Sequence, residues 1–246
     1  ILTALPESLS YMTARNDKKG LRKVLLKMQP DLKLEEDFEL VLPAADKPKG
    51  VPIAALFQDG RGFSTVMFWV AFFTGLFMVY ALSSWLAKLM ALSGYDLGSA
   101  LSFVIALNIG AMIVAIGGGW LADRFHIKWV LVCMYALGGV FLYLMTLNTS
   151  TEARYVIIAA VGACSTGAQI VAYAYCGQYY PMAIRSTGIG MAAGIGRTGA
   201  IAAPLLIGLI VSLKLPLEQN FLVIGAAGVI GACALAFIDH RRSASV

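Results

Sequence analysis

Charge is what this sequence lacks most. Asp, Glu, Lys and Arg make up 13% of its 246 residues, about half the share of roughly a quarter that is usual in soluble domains. A chain so short of solvating groups cannot coat a soluble fold of this size. Histidine is nearly absent, with two residues, and the four cysteines have no C-x-x-C spacing, which excludes a zinc site and a disulfide framework. Cys133, Cys164, Cys176 and Cys233 fall inside apolar runs, where they are expected as small packing residues; His126 and His240 fall at the borders of such runs, where an interfacial role is expected. No nucleophile–base pair and no metal set is present, so neither an enzyme nor a cofactor or metal protein is indicated. No basic groove interleaved with aromatics supports nucleic-acid binding.

Apolar length is abundant instead. Hydrophobic residues make up 59% of the chain and its mean hydropathy is +0.76. A hydrocarbon core of ~30 Å needs about 20 apolar residues per crossing, and six runs meet that, at roughly 63–87, 97–119, 129–147, 155–178, 187–213 and 220–238. The fold class expected is therefore an all-α membrane protein of six transmembrane helices. Short loops rich in Lys and Arg stay in the cytoplasm. All but four of the 19 such residues lie on the side shared by the two ends, the exceptions being Lys88, Arg154 and Lys214 on the other side and Arg197 within a span. Both ends are accordingly expected to be cytoplasmic, with residues 239–246 as a tail.

Residues 1–62 form the one sizeable polar segment. "LRKVLLKMQ" sets Leu21, Val24, Leu25 and Met28 at helical spacing against Arg22, Lys23 and Lys27, predicting an amphipathic helix over about 21–29 that lies on the bilayer. Pro30 ends it, the acidic "LEEDFEL" follows, and the prolines of residues 43–52 mark a linker. The chain begins at Ile1 with "ILTAL", which reads as the last turn of an earlier helix, so a fragment is expected.

One permanently charged residue stands deep in an apolar run. In "AAGIGRTGAIAAP" the glycines 194, 196 and 199 spell G-x-G-x-x-G, but a dinucleotide site needs a strand before the first glycine within a soluble βαβ unit. The four-residue spacings Gly190–Gly194 and Gly196–Ala200 fit close packing of transmembrane helices instead, and Pro204 in the same run allows a bend. Arg197 lies ten residues into its run, about 15 Å by helical rise. An arginine at that depth costs roughly 2.5–3.5 kcal/mol or more, so it is expected to face a watery cavity on a transport path. No acidic residue within the six runs lies at comparable depth, and Asp96, Glu152, Glu218 and Asp239 all sit near run borders. Arg197 is thus the expected site of an anionic substrate.

"GWLADRFHIKWVL", with Gly119, Asp123, Arg124 and Lys128 around a tight turn, resembles the cytoplasmic loop signature of the major facilitator superfamily, although its second half departs from the usual G-R-R/K pattern. "LPESLSYM" is similar to the P-E-S segment after the sixth helix of that family. "YYPMAIRSTGIGMAAGIGRTGAIAAP" and "YALSSWLAKLM" resemble its aromatic acid:proton symporters. The resemblance covers essentially the whole chain and is to the C-terminal six-helix half. It implies a secondary transporter of the bacterial inner membrane that imports an aromatic carboxylate, such as benzoate or hydroxybenzoate, with a proton by alternating access. It further implies a missing N-terminal half as partner, and a gating charge network of Gly119, Asp123, Arg124, Lys128 and Arg185. The cavity of such a fold would be lined by Arg197, by Gln169 and Tyr173 in register with Ser165, by Asn108, and by Tyr80 in line with Phe73, Phe77 and Ser84. A sugar or other organic-acid porter is the rival reading, but the Q-Q-x-S-G pattern of sugar porters is not found in the first run. A six-span channel or permease subunit is the other rival, and it would need a filter or coupling-loop motif that is not evident.

Overall fold

The structure is a computed structural model, and it describes residues 18–28, 52–147 and 149–244. The chain divides into two units, residues 1–47 and 48–246. Within the first, α1 covers Lys18–Met28, starting earlier than the expected 21–29. The "LPESLSYM" segment, Pro30, the acidic stretch and the linker before Pro52 lie outside the described residues.

The second unit opens with a single turn, α2 (Pro52–Ala55), followed by α3 (Gly62–Leu92), α4 (Leu97–Arg124), α5 (Ile127–Leu144), α6 (Thr151–Gly162), α7 (Ala168–Tyr179), α8 (Arg185–Ser212) and α9 (Leu217–Phe237). α6 and α7 form one rod through a π-helical segment, Ala163–Gly167, so six crossings result, each long and apolar enough to span a membrane. No strand is found among the described residues. The protein is a multi-pass membrane protein, with six membrane-length helices among the described residues. Local chemistry sets the ends. Gly94, at φ +95°, takes the left-handed conformation that lets the chain turn tightly out of α3. Asp96 then caps α4 by accepting from the Ser99 amide at 3.0 Å and the Ser99 hydroxyl at 2.6 Å. Those bonds hold its carboxyl below the ordinary carboxylate value. Ser150 caps α6 in the same way through the Ala153 amide.

α3 is the hub. Of its apolar stretch 61% is buried inside the bundle, against 28% for α4 and 33% for α8, so the latter two present the most open faces. Lipid tails are as apolar as leucine, hence helices associate through close packing of small residues rather than through exclusion of water. Gly199 of α8 meets the Phe73 carbonyl of α3, which a Cβ would approach to 2.2 Å, and Gly196 meets Leu76 and the Phe72 carbonyl. α4 and α6 are fitted reciprocally: a Cβ on Gly110 would lie 1.8 Å from the Ala159 carbonyl oxygen, and one on Gly162 1.9 Å from that of Leu107. Gly190 and Gly194 meet nothing among the described residues; of the two small-residue spacings, Gly196–Ala200 is the one that packs there. Pro204 is accommodated inside α8, which stays helical from Arg185 to Ser212. Cys164 and Cys176 are buried, but Cys133 and Cys233 are exposed on the outside of the bundle, so the expectation of core packing fails for those two. Helical period turns them toward lipid.

The glycine contacts lead to a sharp expectation. Gly199→Ala and Gly162→Ala must each push two backbones apart, so each variant should melt at lower temperature, with a loss of about 1–3 kcal/mol, the scale of overpacking. Thermal melting of the purified protein checks this; unchanged melting would show that the helices do not meet there.

Candidate functional site

The α3–α8 contact sets the position of the deep cation. Because Gly196 and Gly199 let the two backbones touch, Arg197 stands beside α3, and its Nη1 donates to the Tyr80 hydroxyl oxygen at 2.8 Å. By helical rise Arg197 is about 18 Å from the Arg185 end of α8 and about 22 Å from the Ser212 end. The residue is exposed at the side of the bundle. Among the described residues the ion pairs are Arg61–Asp59 and Arg242–Asp239, and neither reaches Arg197. A guanidinium has five N–H donors in a planar fork and stays charged. With one donated to Tyr80, the others remain for an acceptor, and the Tyr80 O–H proton is left to point the same way. The arrangement suits a planar, bidentate acceptor such as a carboxylate.

The remaining expected lining residues go to several places. Tyr173 packs edge-on against Phe72, with ring centroids 4.9 Å apart, half-buried and one helix away from Arg197. Gln169 turns inward: it is 5% exposed, its Oε1 accepts from the Tyr135 hydroxyl at 3.2 Å, and its Nε2 is buried without a partner among the described residues. Ser165 lies in the π-helical segment and donates to the Val161 carbonyl at 2.7 Å. The widened turn there removes the straight i, i+4, i+8 ladder that α-helical spacing predicts for 165, 169 and 173. Asn108 is exposed on α4, donates to the Val104 carbonyl at 2.8 Å and shares a groove with Ile105, Ile109 and Met112. Phe77 is buried and Phe73 half-buried. The structure thus joins Arg197 to Tyr80, Tyr173 to Phe72 and Gln169 to Tyr135, and leaves Asn108 apart.

Of the expected gate, Gly119 is exposed and meets nothing among the described residues. The Asp123 side chain lies outside the described residues. Arg124 lies 5.7 Å from the Trp120 ring centroid. Arg185 Nε donates to the Tyr180 carbonyl at 3.4 Å, and Lys128 Nζ donates to the Ile238 carbonyl at 2.8 Å, closing the C-terminal end of α9.

Sequence reasoning missed two groups. Tyr135 reaches across from α5 so that its one O–H proton is shared between the Ala71 carbonyl of α3 at 3.1 Å and Gln169 Oε1 at 3.2 Å. It fits because Gly75 and Gly231 leave room for its ring and hydroxyl. A lone tyrosine in an apolar run was its only signal. The second group is a clasp built from the chain after α9. The Asp239 amide donates to Ser64 Oγ at 3.1 Å, Arg242 bonds the Gly60 carbonyl, and the Ala244 amide donates to the Tyr179 carbonyl at 3.0 Å. His240 sits inside the clasp, 3.5 Å by Nδ1 from the Tyr175 hydroxyl and with its ring 6.3 Å from that of His126.

A bundle of six membrane-length helices with a mid-span cation on an open face, bonded to Tyr80 and without a carboxylate partner among the described residues, has the make-up of a solute carrier. The pattern of the Major Facilitator Superfamily matches residues 109–246, and the chain belongs to that superfamily, whose members are transporters and not enzymes. It is 40% identical over 243 residues to the benzoate transport protein of Acinetobacter baylyi, covering 98% of this chain and 52% of that protein. It is 35% identical to the gentisate transporter of Corynebacterium glutamicum, covering 78% and 43%, and 32% identical to the 4-hydroxybenzoate transporter of Pseudomonas putida, covering 98% and 55%. The chain spans about half the length of these relatives. The expected likeness to the aromatic-acid branch is borne out.

The clasp should be weakened by acid. Burial first, then the charges of His126 and Lys128, push the His240 imidazole below its ordinary value, with Asp239 opposing. The unfolded chain therefore binds more protons than the folded one below about pH 6.5, and stability falls as pH drops through that region. Melting temperature measured from pH 5 to 7.5 should rise with pH, and His240→Gln should flatten the rise; a protein more stable at pH 5 would contradict it.

Proposed function

We propose that the protein is part of a secondary transporter that imports an aromatic carboxylate, such as benzoate or a hydroxybenzoate, together with a proton. It acts by alternating access in the bacterial inner membrane, with both ends cytoplasmic. The observation that carries this reading is Arg197: mid-span, exposed at the side of the bundle, steadied by Tyr80 and without a carboxylate partner among the described residues. The named relatives carry benzoate, gentisate and 4-hydroxybenzoate, each an aromatic ring bearing one carboxylate. A neutral sugar would leave the cation uncompensated, which disfavours the sugar-porter reading.

The chemistry couples occupancy to movement. While the site is empty, water must solvate the guanidinium, and closing a dry interface over it strands a charge at a cost of several kcal/mol. A bound carboxylate neutralises it through two parallel N–H···O bonds, with the Tyr80 O–H as a third donor, and the loaded site can then close. Half-buried Tyr173, backed by Phe72, supplies aromatic surface for the ring, and exposed Asn108 supplies an amide further along the path, while Gln169 acts from inside the bundle. The open faces of α4 and α8 pack against the other half of the fold, the partner that completes the cavity and carries the proton. At the basic end Gly119 gives that half a close approach, and Asp123, Arg124, Lys128 and Arg185 form the charge network that holds one conformation.

Arg197→Lys keeps the charge but loses the fork, so benzoate binding should weaken by ~1–3 kcal/mol. Arg197→Ala should abolish saturable uptake of labelled benzoate while the protein still reaches the membrane. Benzamide, the neutral isostere, should bind poorly to the wild type and lose little more in the Ala variant. Equal weakening of benzoate and benzamide, or disappearance of the Ala variant from the membrane, would make Arg197 a structural residue.

A further inference from the structure

At the end of the bundle opposite the clasp, a cavity of about 200 Å³ opens where α3, α5, α6 and α9 terminate. Its polar groups are mismatched in an informative way. Ser93 Oγ donates its proton to the Leu89 carbonyl at 2.9 Å, and Thr146 Oγ1 donates to the Tyr143 carbonyl at 2.7 Å. Both hydroxyls are thereby spent as donors and offer the cavity only oxygen lone pairs. Glu218, in the first turn of α9, is a third acceptor. Against these stands one donor, Arg154, whose Nε is buried without a hydrogen-bond partner among the described residues and whose guanidinium carbon lies 6.0 Å from the Tyr95 ring centroid. Arg154 and Glu218 line the same cavity and yet form no ion pair with each other among the described residues.

A simple anion would meet Arg154 but also the Glu218 carboxylate, and a simple cation the reverse. A zwitterion satisfies both. Three acceptors match the three N–H donors of a primary ammonium, and the guanidinium matches a phosphate through charge-assisted hydrogen bonds. The two helices that end at the cavity carry exposed apolar residues along their length, Leu137, Val140 and Tyr143 on α5 and Leu222, Val229 and Ile230 on α9, a surface that acyl chains can follow. We propose that this cavity is a binding site for phosphatidylethanolamine, with Arg154 on the phosphate and Glu218, Ser93 and Thr146 around the ammonium.

Native mass spectrometry of the delipidated, purified protein tests the site without reference to transport. Added phosphatidylethanolamine should bind about tenfold more tightly than phosphatidylglycerol, which lacks the ammonium, or phosphatidylcholine, whose ammonium has no N–H. Stepwise N-methylation of the headgroup should reduce binding stepwise. Glu218→Gln and Arg154→Met, both checked for unchanged melting temperature, should each bring phosphatidylethanolamine down to the level of phosphatidylcholine. Equal binding of the three lipids, or selectivity surviving in both variants, would overturn the proposal. If soluble phosphoethanolamine displaces the lipid at equal concentration, the acyl chains contribute nothing and the assignment to a lipid is wrong.

Discussion

The contact between the backbones of α3 and α8 at Gly196 and Gly199 governs the rest of the structure. In a bilayer no exclusion of water draws two helices together, and what holds them is the closeness of their main chains. Here Gly199 brings α8 against the Phe73 carbonyl, and that closeness lets a side chain as long as Arg197 end on the Tyr80 hydroxyl. A bulkier residue at either glycine would move the guanidinium off its one described partner. The cation and the glycines beside it in the sequence therefore form a single device, in which the small residues position the charge.

Around this contact the bundle is unevenly finished. α3 is buried on most sides, and the tyrosine bridge from α5 ties it to Gln169 of α7. α4 and α8 keep open faces, Arg197 on one and Asn108 on the other. At the basic end the clasp after α9 binds the ends of α3 and α7, while Lys128 bonds the Ile238 carbonyl that caps α9. Together these contacts tie the described helices into one packed body and leave its polar chemistry on the open faces.

The sequence made some of this legible and hid the rest for definable reasons. Six crossings could be read because each needs about 20 apolar residues, a signal contained within one stretch of chain. Arg197 was legible because a lone charge in such a stretch has few explanations. Its bond to Tyr80, 117 residues away, was not, although the two had been placed in the same cavity. Gln169 shows the limit from the other side. Helical spacing put it on one face with Ser165 and Tyr173, but the π-helical segment at Ala163–Gly167 changes the phase of that face, and no residue type announces such a segment. The clasp was hidden for the same reason as most tertiary contacts: Lys128 and Ile238, or Gln178 and Ser243, meet only after folding.

The central claim is that the Arg197 guanidinium holds the carboxylate of the cargo. Solid-state NMR on the natural full-length protein in lipid, with ¹⁵N in arginine side chains and ¹³C in the benzoate carboxyl, measures this contact directly. A bidentate pair places the carboxyl carbon within about 4 Å of the guanidinium nitrogens, so the carboxyl signal of bound benzoate should be strongly dephased, and the dephasing should vanish in Arg197→Lys when binding is restored by excess ligand. Bound benzoate with no dephasing in the wild type, or with dephasing that survives in Arg197→Lys, would contradict the account.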